Sequence, residues 1–129
     1  MNPNWIINDF GAALARLQEA VGSNPQGDLA HAGCIQYFEF TFEIAWKSVK
    51  LVALEQGLDA VGSPKACLRT ALAQGWIDDE AVWLRMLDAR NRMSHTYNAT
   101  GALRVYDELG DFIAPLADLL VRLRVALKP

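Results

Sequence analysis

The sequence predicts an all-α fold: an antiparallel bundle of four main helices with a short extra helix. Three observations predict it. Apolar residues recur at steps of three and four through most of the chain. Helix caps and stops punctuate those runs. Alternation of period two appears nowhere at useful length, so no strand is expected. At 129 residues, with no linker, repeat or low-complexity stretch, the chain reads as one domain over 1–129, long enough to bury a core.

The first helix follows from Ile6, Phe10, Ala13, Leu17 and Val21, which mark one apolar face. Gly22-Ser23-Asn24-Pro25 stops it. A second helix is expected from about residue 28 to 56, with Asp28 as N-cap and Gly57 just past its end. It carries two apolar stripes. One is Ile35, Phe38, Phe42, Ala45, Val49 and Val52; the other is Tyr37, Phe40, Ile44 and Leu51. A helix apolar over so much of its circumference needs cover on more than one side, which predicts a homodimer interface along it. Its polar stripe is Gln36, Glu39, Glu43, Lys47 and Lys50.

Ser63-Pro64 combines an N-cap with proline at the first helical position, opening a short helix that Gly75 ends. Asp78 or Asp79 caps the next helix, expected to run to about residue 97. A turn at 98–100 follows, with Thr100 as N-cap of the last helix. That helix shows Leu109, Ile113, Leu116, Leu120, Leu123 and Leu127, and Pro115 inside it is expected to kink or divide it.

The charge balance excludes some functions. Twelve basic residues face 15 acidic ones, for a net charge of −3, so the chain is no bulk electrostatic binder of nucleic acid or anionic membrane. Any RNA contact must rest on a local basic patch. Cys34 and Cys67 lack CxxC spacing and read as buried thiols. No run of about 18 apolar residues spans a membrane, and the first residues lack a basic, then apolar, leader. The expected location is the cytoplasm. His31 and His95 are the only histidines, no carboxylate cluster has metal-ligand spacing, and there is no Gly-rich phosphate loop. Neither a metal nor a cofactor is expected, and the chain is not a nucleotidyltransferase by itself.

The richest stretch is Asp88-Ala89-Arg90-Asn91-Arg92-Met93-Ser94-His95-Thr96-Tyr97. On a helix, Val82, Met86, Ala89 and Met93 form its core stripe. Asn91 and His95 then share one face, and Arg90, Ser94 and Tyr97 a neighbouring one. Arg90 and His95 are five residues apart and point about 140° from each other. Histidine moves protons near neutral pH, and arginine holds phosphate in a fork. These are parts of a metal-independent ribonuclease, in which a 2′-hydroxyl attacks its own phosphate. That chemistry needs a proton acceptor, a proton donor and a cation on the developing charge. One histidine is one proton carrier, so a second subunit would supply the other. The pattern has a plainer reading as well. Arg85, Asp88 and Arg92 suit a solvated ion-pair face, and a histidine near a helix end suits the helix dipole.

The Arg90 to His95 segment resembles the signature of HEPN domains, an arginine followed by a histidine after four to six residues. With Thr96-Tyr97 it is similar to the longer RX4HXY pattern of HepT-like proteins. Phe38-Glu39-Phe40-Thr41-Phe42-Glu43-Ile44-Ala45-Trp46-Lys47 is similar to a block of the nucleotidyltransferase substrate-binding proteins. Ser63-Pro64, Gly75-Trp76-Ile77 and Trp83 fall where that family has equivalents, so the resemblance covers nearly the whole chain. It implies a dimerising, up-and-down four-helix bundle and a minimal nucleotidyltransferase partner, usually encoded next door. It implies one of two roles: a toxin ribonuclease neutralised by that partner, through AMP transfer to Tyr97, or the non-catalytic substrate-binding subunit of a two-chain nucleotidyltransferase. Carried over by residue, Arg90 would bind phosphate or stabilise the transition state, and His95 would be the general acid/base. Asn91, Arg92, Ser94 and Tyr97 would support the site. Arg92 in particular adds a cation that favours an anionic ligand. Glu39, Glu43, Trp46 and Lys47 read as structural: Glu43 and Lys47 as an i,i+4 ion pair, Trp46 as packing.

Overall fold

The computed structural model of the chain describes residues 2–59, 62–93 and 99–128. Among them the regular structure is entirely helical: α1 (Asn4–Gly22), α2 (Asp28–Glu55), α3 (Pro64–Ala73), α4 (Glu80–Arg92), α5 (Ala99–Leu103), a 3-10 segment (Arg104–Glu108) and α6 (Leu109–Ala126). No helix of the described residues is long and apolar enough to cross a membrane.

The axis of the fold is α2, which contacts α1, α3, α4, α5, the 3-10 segment and α6. Its first stripe explains why. Ile35, Phe38, Phe42, Ala45, Val49 and Val52 are all buried. Phe38 lies 5.2 Å from Phe112 of α6 and 6.0 Å from Phe42, ring centre to ring centre. Phe42 in turn lies 6.4 Å from Trp83 of α4. One aromatic chain thus ties three helices together, each ring contributing about 1.5–3 kcal/mol through burial. Thr41 and Ser48 are buried too, their hydroxyls donating to the carbonyls of Tyr37 and Ile44 one turn back.

The second stripe behaves differently. Phe40 is 52% exposed and Tyr37 39%, while Ile44 and Leu51 are half-buried. This chain alone does not cover that face.

Several ends match the sequence pattern. Ser63 Oγ accepts from the Ala66 N–H at 3.2 Å, and Asp79 Oδ1 from the Val82 N–H at 3.2 Å. Gly57, at φ +75°, closes α2 with paired bonds: its N–H reaches Leu54 O and that of Leu58 reaches Ala53 O. Gly75, at φ +77°, closes α3 in the same way, and the bonds carry Trp76 into the core.

Other ends differ. The N-cap of α2 is Gly27, at φ +85°, and Asp28 is the first helical residue, its carboxylate near the positive end of the helix. The helix α4 spans Glu80–Arg92, with Met93 as its C-cap, and the rest of the expected stretch to residue 97 lies outside the described residues. Thr100 is not an N-cap, because α5 already includes Ala99. Pro115 does not divide α6, which runs unbroken through it. Proline withdraws one N–H, and neighbouring turns hold the helix through Phe112, Leu116 and Leu119, all fully buried. The tightening falls earlier, in the 3-10 segment.

Two faces are rotated from expectation. In α1 the buried residues are Ile6, Ile7, Phe10, Leu14 and Leu17, with Ala13 and Val21 only half-buried. In α6 Phe112 and Leu119 join the core, while Ile113 and Leu127 stay half-buried. In each case a choice between adjacent stripes falls to the larger side chains.

Candidate functional site

Arg90 stands in the last turn of α4, opposite the polar stripe of α2. The core stripe of α4 is as expected: Val82, Met86 and Ala89 are buried and Met93 is half-buried. That orientation turns Arg90 toward α2. Its Nε donates to Glu43 Oε1 at 2.7 Å, and one terminal nitrogen donates to Asn91 Oδ1 at 3.2 Å. The other oxygen of Glu43 accepts from the Trp46 indole N–H at 3.0 Å. Both carboxylate oxygens are therefore engaged, and the guanidinium is held by its inner edge.

This replaces the ion pair expected between Glu43 and Lys47. The Lys47 ammonium instead stands 5.6 Å from the centre of the Trp46 ring. Trp46 is packing and more: it is 7% exposed and also a hydrogen-bond donor. A residue 47 positions away outcompetes the local helical neighbour, because an arginine N–H aimed at carboxylate makes a short charge-assisted bond.

Glu39 lies one turn before Glu43 on the same face. Its carboxyl is pushed above the ordinary value, first by burial and then by the Glu43 charge, with Arg90 pulling the other way. Glu39 also lines a groove of about 530 Å³ that runs along the start of α2 past Met93, Ala102 and Leu103.

Arg92 is held elsewhere. Its terminal nitrogen pairs with Glu108, and its Nε stands 3.1 Å from Asp88 Oδ2 without a well-aligned hydrogen bond. Arg85 also grips Glu108, at 3.4 Å, and Asp111, at 3.3 Å. Of the ion-pair face that was the plainer reading, Asp88 and Arg92 are paired, whereas Arg85 pairs outside α4, and Arg92's charge is already committed to carboxylates. The second histidine, His31, is not at this site: it stacks on Tyr106 with ring centres 3.8 Å apart. Ser94, His95 and Tyr97 lie outside the described residues. Among the described residues no three His, Cys, Asp or Glu side chains gather as metal ligands would. Cys34 and Cys67 are buried thiols, and burial pushes the titration of both upward.

The arrangement can present a fixed cation beside a carboxylate-lined groove. Local periodicity gave no hint of the Arg90–Glu43 contact. The Phe38–Lys47 block marks Glu43 as a site residue but does not name its partner, which lies 47 residues away.

Comparison with known proteins adds to this geometry. The family model described as "Nucleotidyltransferase substrate binding protein like" matches residues 6–125. A Haemophilus influenzae protein named "Probable ribonuclease HepT" is 38% identical over 101 residues, covering 75% of this chain and 69% of that protein. A crystal structure from Thermus thermophilus superposes with a TM-score of 0.80 at 32% identity, covering 89% of this chain and 98% of that one. A second structure, from Haemophilus influenzae, gives a TM-score of 0.79 at 34% identity and covers 92% and 98%. Its description speaks of the fold of a substrate binding domain of a nucleotidyltransferase.

Proposed function

Since the chain belongs to the nucleotidyltransferase substrate binding protein-like family, we propose that it works beside a minimal nucleotidyltransferase and that its own activity is metal-independent cleavage of RNA. The observation that carries this reading is the Arg90 guanidinium, fixed by Glu43 at the end of α4, five residues before His95 in the sequence. A ribonuclease name on a relative 38% identical supports it.

In this reading the 2′-oxygen of RNA attacks the adjacent phosphorus and the bond to the 5′-oxygen breaks. Arg90 bears on the charge that develops on the phosphoryl oxygens. His95 carries a proton, from the 2′-hydroxyl or to the leaving 5′-oxygen. A second His95, from a second subunit, completes the exchange. The exposed stripe of Phe40 and Tyr37 supports such a homodimer. The four longer helices α1, α2, α4 and α6 suit the antiparallel four-helix bundle expected for it. Asn91 holds the guanidinium, while Ser94 and Tyr97 flank His95 in sequence. The nucleotidyltransferase would silence the site by AMP transfer to Tyr97, adding bulk and negative charge two residues from His95.

The test is growth on induction. Wild type is expected to arrest cells, Arg90→Ala and His95→Ala to be harmless, and co-expression with the nucleotidyltransferase to restore growth. Equal harmlessness of all three, with purified wild type cutting no RNA, overturns the ribonuclease reading.

A second reading is that the chain is the non-catalytic substrate-binding subunit of a two-chain nucleotidyltransferase. The structural relative described in those terms favours it, as does the net charge of −3. It requires a stable complex with the transferase and no activity of the chain alone.

A further inference from the structure

We propose, resting on the RNA reading, that the groove along the first half of α2 is a subsite for a guanine base, whose N1–H and N2–H donate to the Glu39 carboxylate.

The groove is built from one stripe of α2. Asp28, Ala32, Ile35, Gln36 and Glu39 all line it. Asp28 and Glu39 are 11 residues apart, so the stripe runs about 16 Å. Glu43 continues the same stripe one turn on, and there it holds Arg90. A nucleotide lying along α2 therefore meets the groove and the guanidinium in order, base first and phosphate second. The volume, about 530 Å³, falls within the range of small-molecule sites.

The lining chooses the ligand. The walls are apolar where a flat ring would lie: Ile35, Met93 and Leu103. The charged groups facing in are carboxylates, Asp28 and Glu39, so a phosphate is repelled from the groove itself and falls to Arg90. Among the described residues Glu39 receives no hydrogen bond, although Glu43 and Arg90 both act on it through charge. Burial and the Glu43 charge raise its titration, and Arg90 offsets them only in part.

An ionised carboxylate only accepts hydrogen bonds, through two oxygens side by side. Guanine alone among the four bases offers two adjacent N–H donors on its Watson–Crick edge. Adenine and cytosine set a lone pair beside their amino group, and uracil flanks its single N–H with two carbonyls. Each of these turns an acceptor toward Glu39. A paired, charge-assisted match is the stronger kind of hydrogen bond, and bidentate base contacts carry discrimination.

The experiment is equilibrium titration of the full chain with GMP, AMP, CMP and UMP at pH 7.5, read by calorimetry or amide chemical shifts. GMP is expected to bind about tenfold tighter than UMP. Glu39→Gln should bring the two within about twofold, and Ala32→Phe, at an exposed wall position, should weaken all four. Lowering the pH through the Glu39 titration should remove the GMP preference in wild type, a check that needs no variant. Equal binding of GMP and UMP by wild type overturns the proposal. So does a preference that survives Glu39→Gln in a variant with unchanged circular dichroism. Binding is read without cleavage. A chain that prefers GMP and cuts no RNA loses the ribonuclease reading and keeps the subsite; one that cuts RNA without preferring GMP loses the subsite alone.

Discussion

Arg90 of α4 and Glu43 of α2 are joined by a 2.7 Å bond from Nε to Oε1, and Trp46 fixes the other oxygen of the same carboxylate. The pair is one-third exposed on each side, so its contribution to stability is small, within about 1 kcal/mol. Its effect on orientation is larger. Glu43→Gln is expected to leave the melting temperature within a few degrees while reducing the proposed RNA cleavage by about a hundredfold, since a misplacement near 1 Å has that effect. A variant that cuts RNA at the wild-type rate removes the orienting role from Glu43.

Glu39 predicts a pH dependence of stability. Its carboxyl titrates above the ordinary value in the folded chain, so between the two values the folded state holds the proton more often. Stability from this group is therefore lost as pH rises through that window, and the loss is complete above the folded value. Glu39→Gln removes the dependence. Urea melts at several pH values should show the variant gaining on wild type from about pH 4.5 upward, with no gain below. A constant difference at all pH values contradicts the assignment.

Phe40 is half exposed on the uncovered stripe of α2 and contributes little to the core of this chain. Phe40→Asp is expected to convert the proposed homodimer to a monomer in sedimentation, with the helical content kept. A wild-type chain that already sediments as a monomer removes the dimer, and an unchanged coefficient for the variant of a dimeric wild type removes this interface.

Phe38 has no exposed surface and bridges α2 to α6 through Phe112. Phe38→Ala is expected to lower unfolding free energy by about 3–5 kcal/mol, from lost burial plus the cavity left behind. Denaturant melts measure it. A loss under about 1 kcal/mol would mean that the aromatic chain does not tie the helices together as described.

Much of this was legible in the sequence. Ser63, Asp79, Gly57 and Gly75 act within a few residues of themselves, so their local chemistry decides them. The first stripe of α2 was legible because six apolar residues agree on it. The faces of α1 and α6 were not fully legible: two adjacent stripes compete there, and only the neighbouring helices decide. The same holds for the site. Arg90 and Asn91 could be singled out from type and spacing, whereas the partner of Arg90 lies 47 residues away on another helix. The cation expected of Arg92 fails to be free for the same reason, since Glu108 claims it from the 3-10 segment.

That claim has a mechanical side. Glu108 is clamped by Arg85 and by Arg92, which stand two helical turns apart on α4. Because both arginines converge on one carboxylate of the 3-10 segment, they triangulate that segment against α4 and oppose its sliding along the helix axis. Moving the 3-10 segment along α4 in either direction stretches one of the two grips, so the entry into α6 is braced both ways.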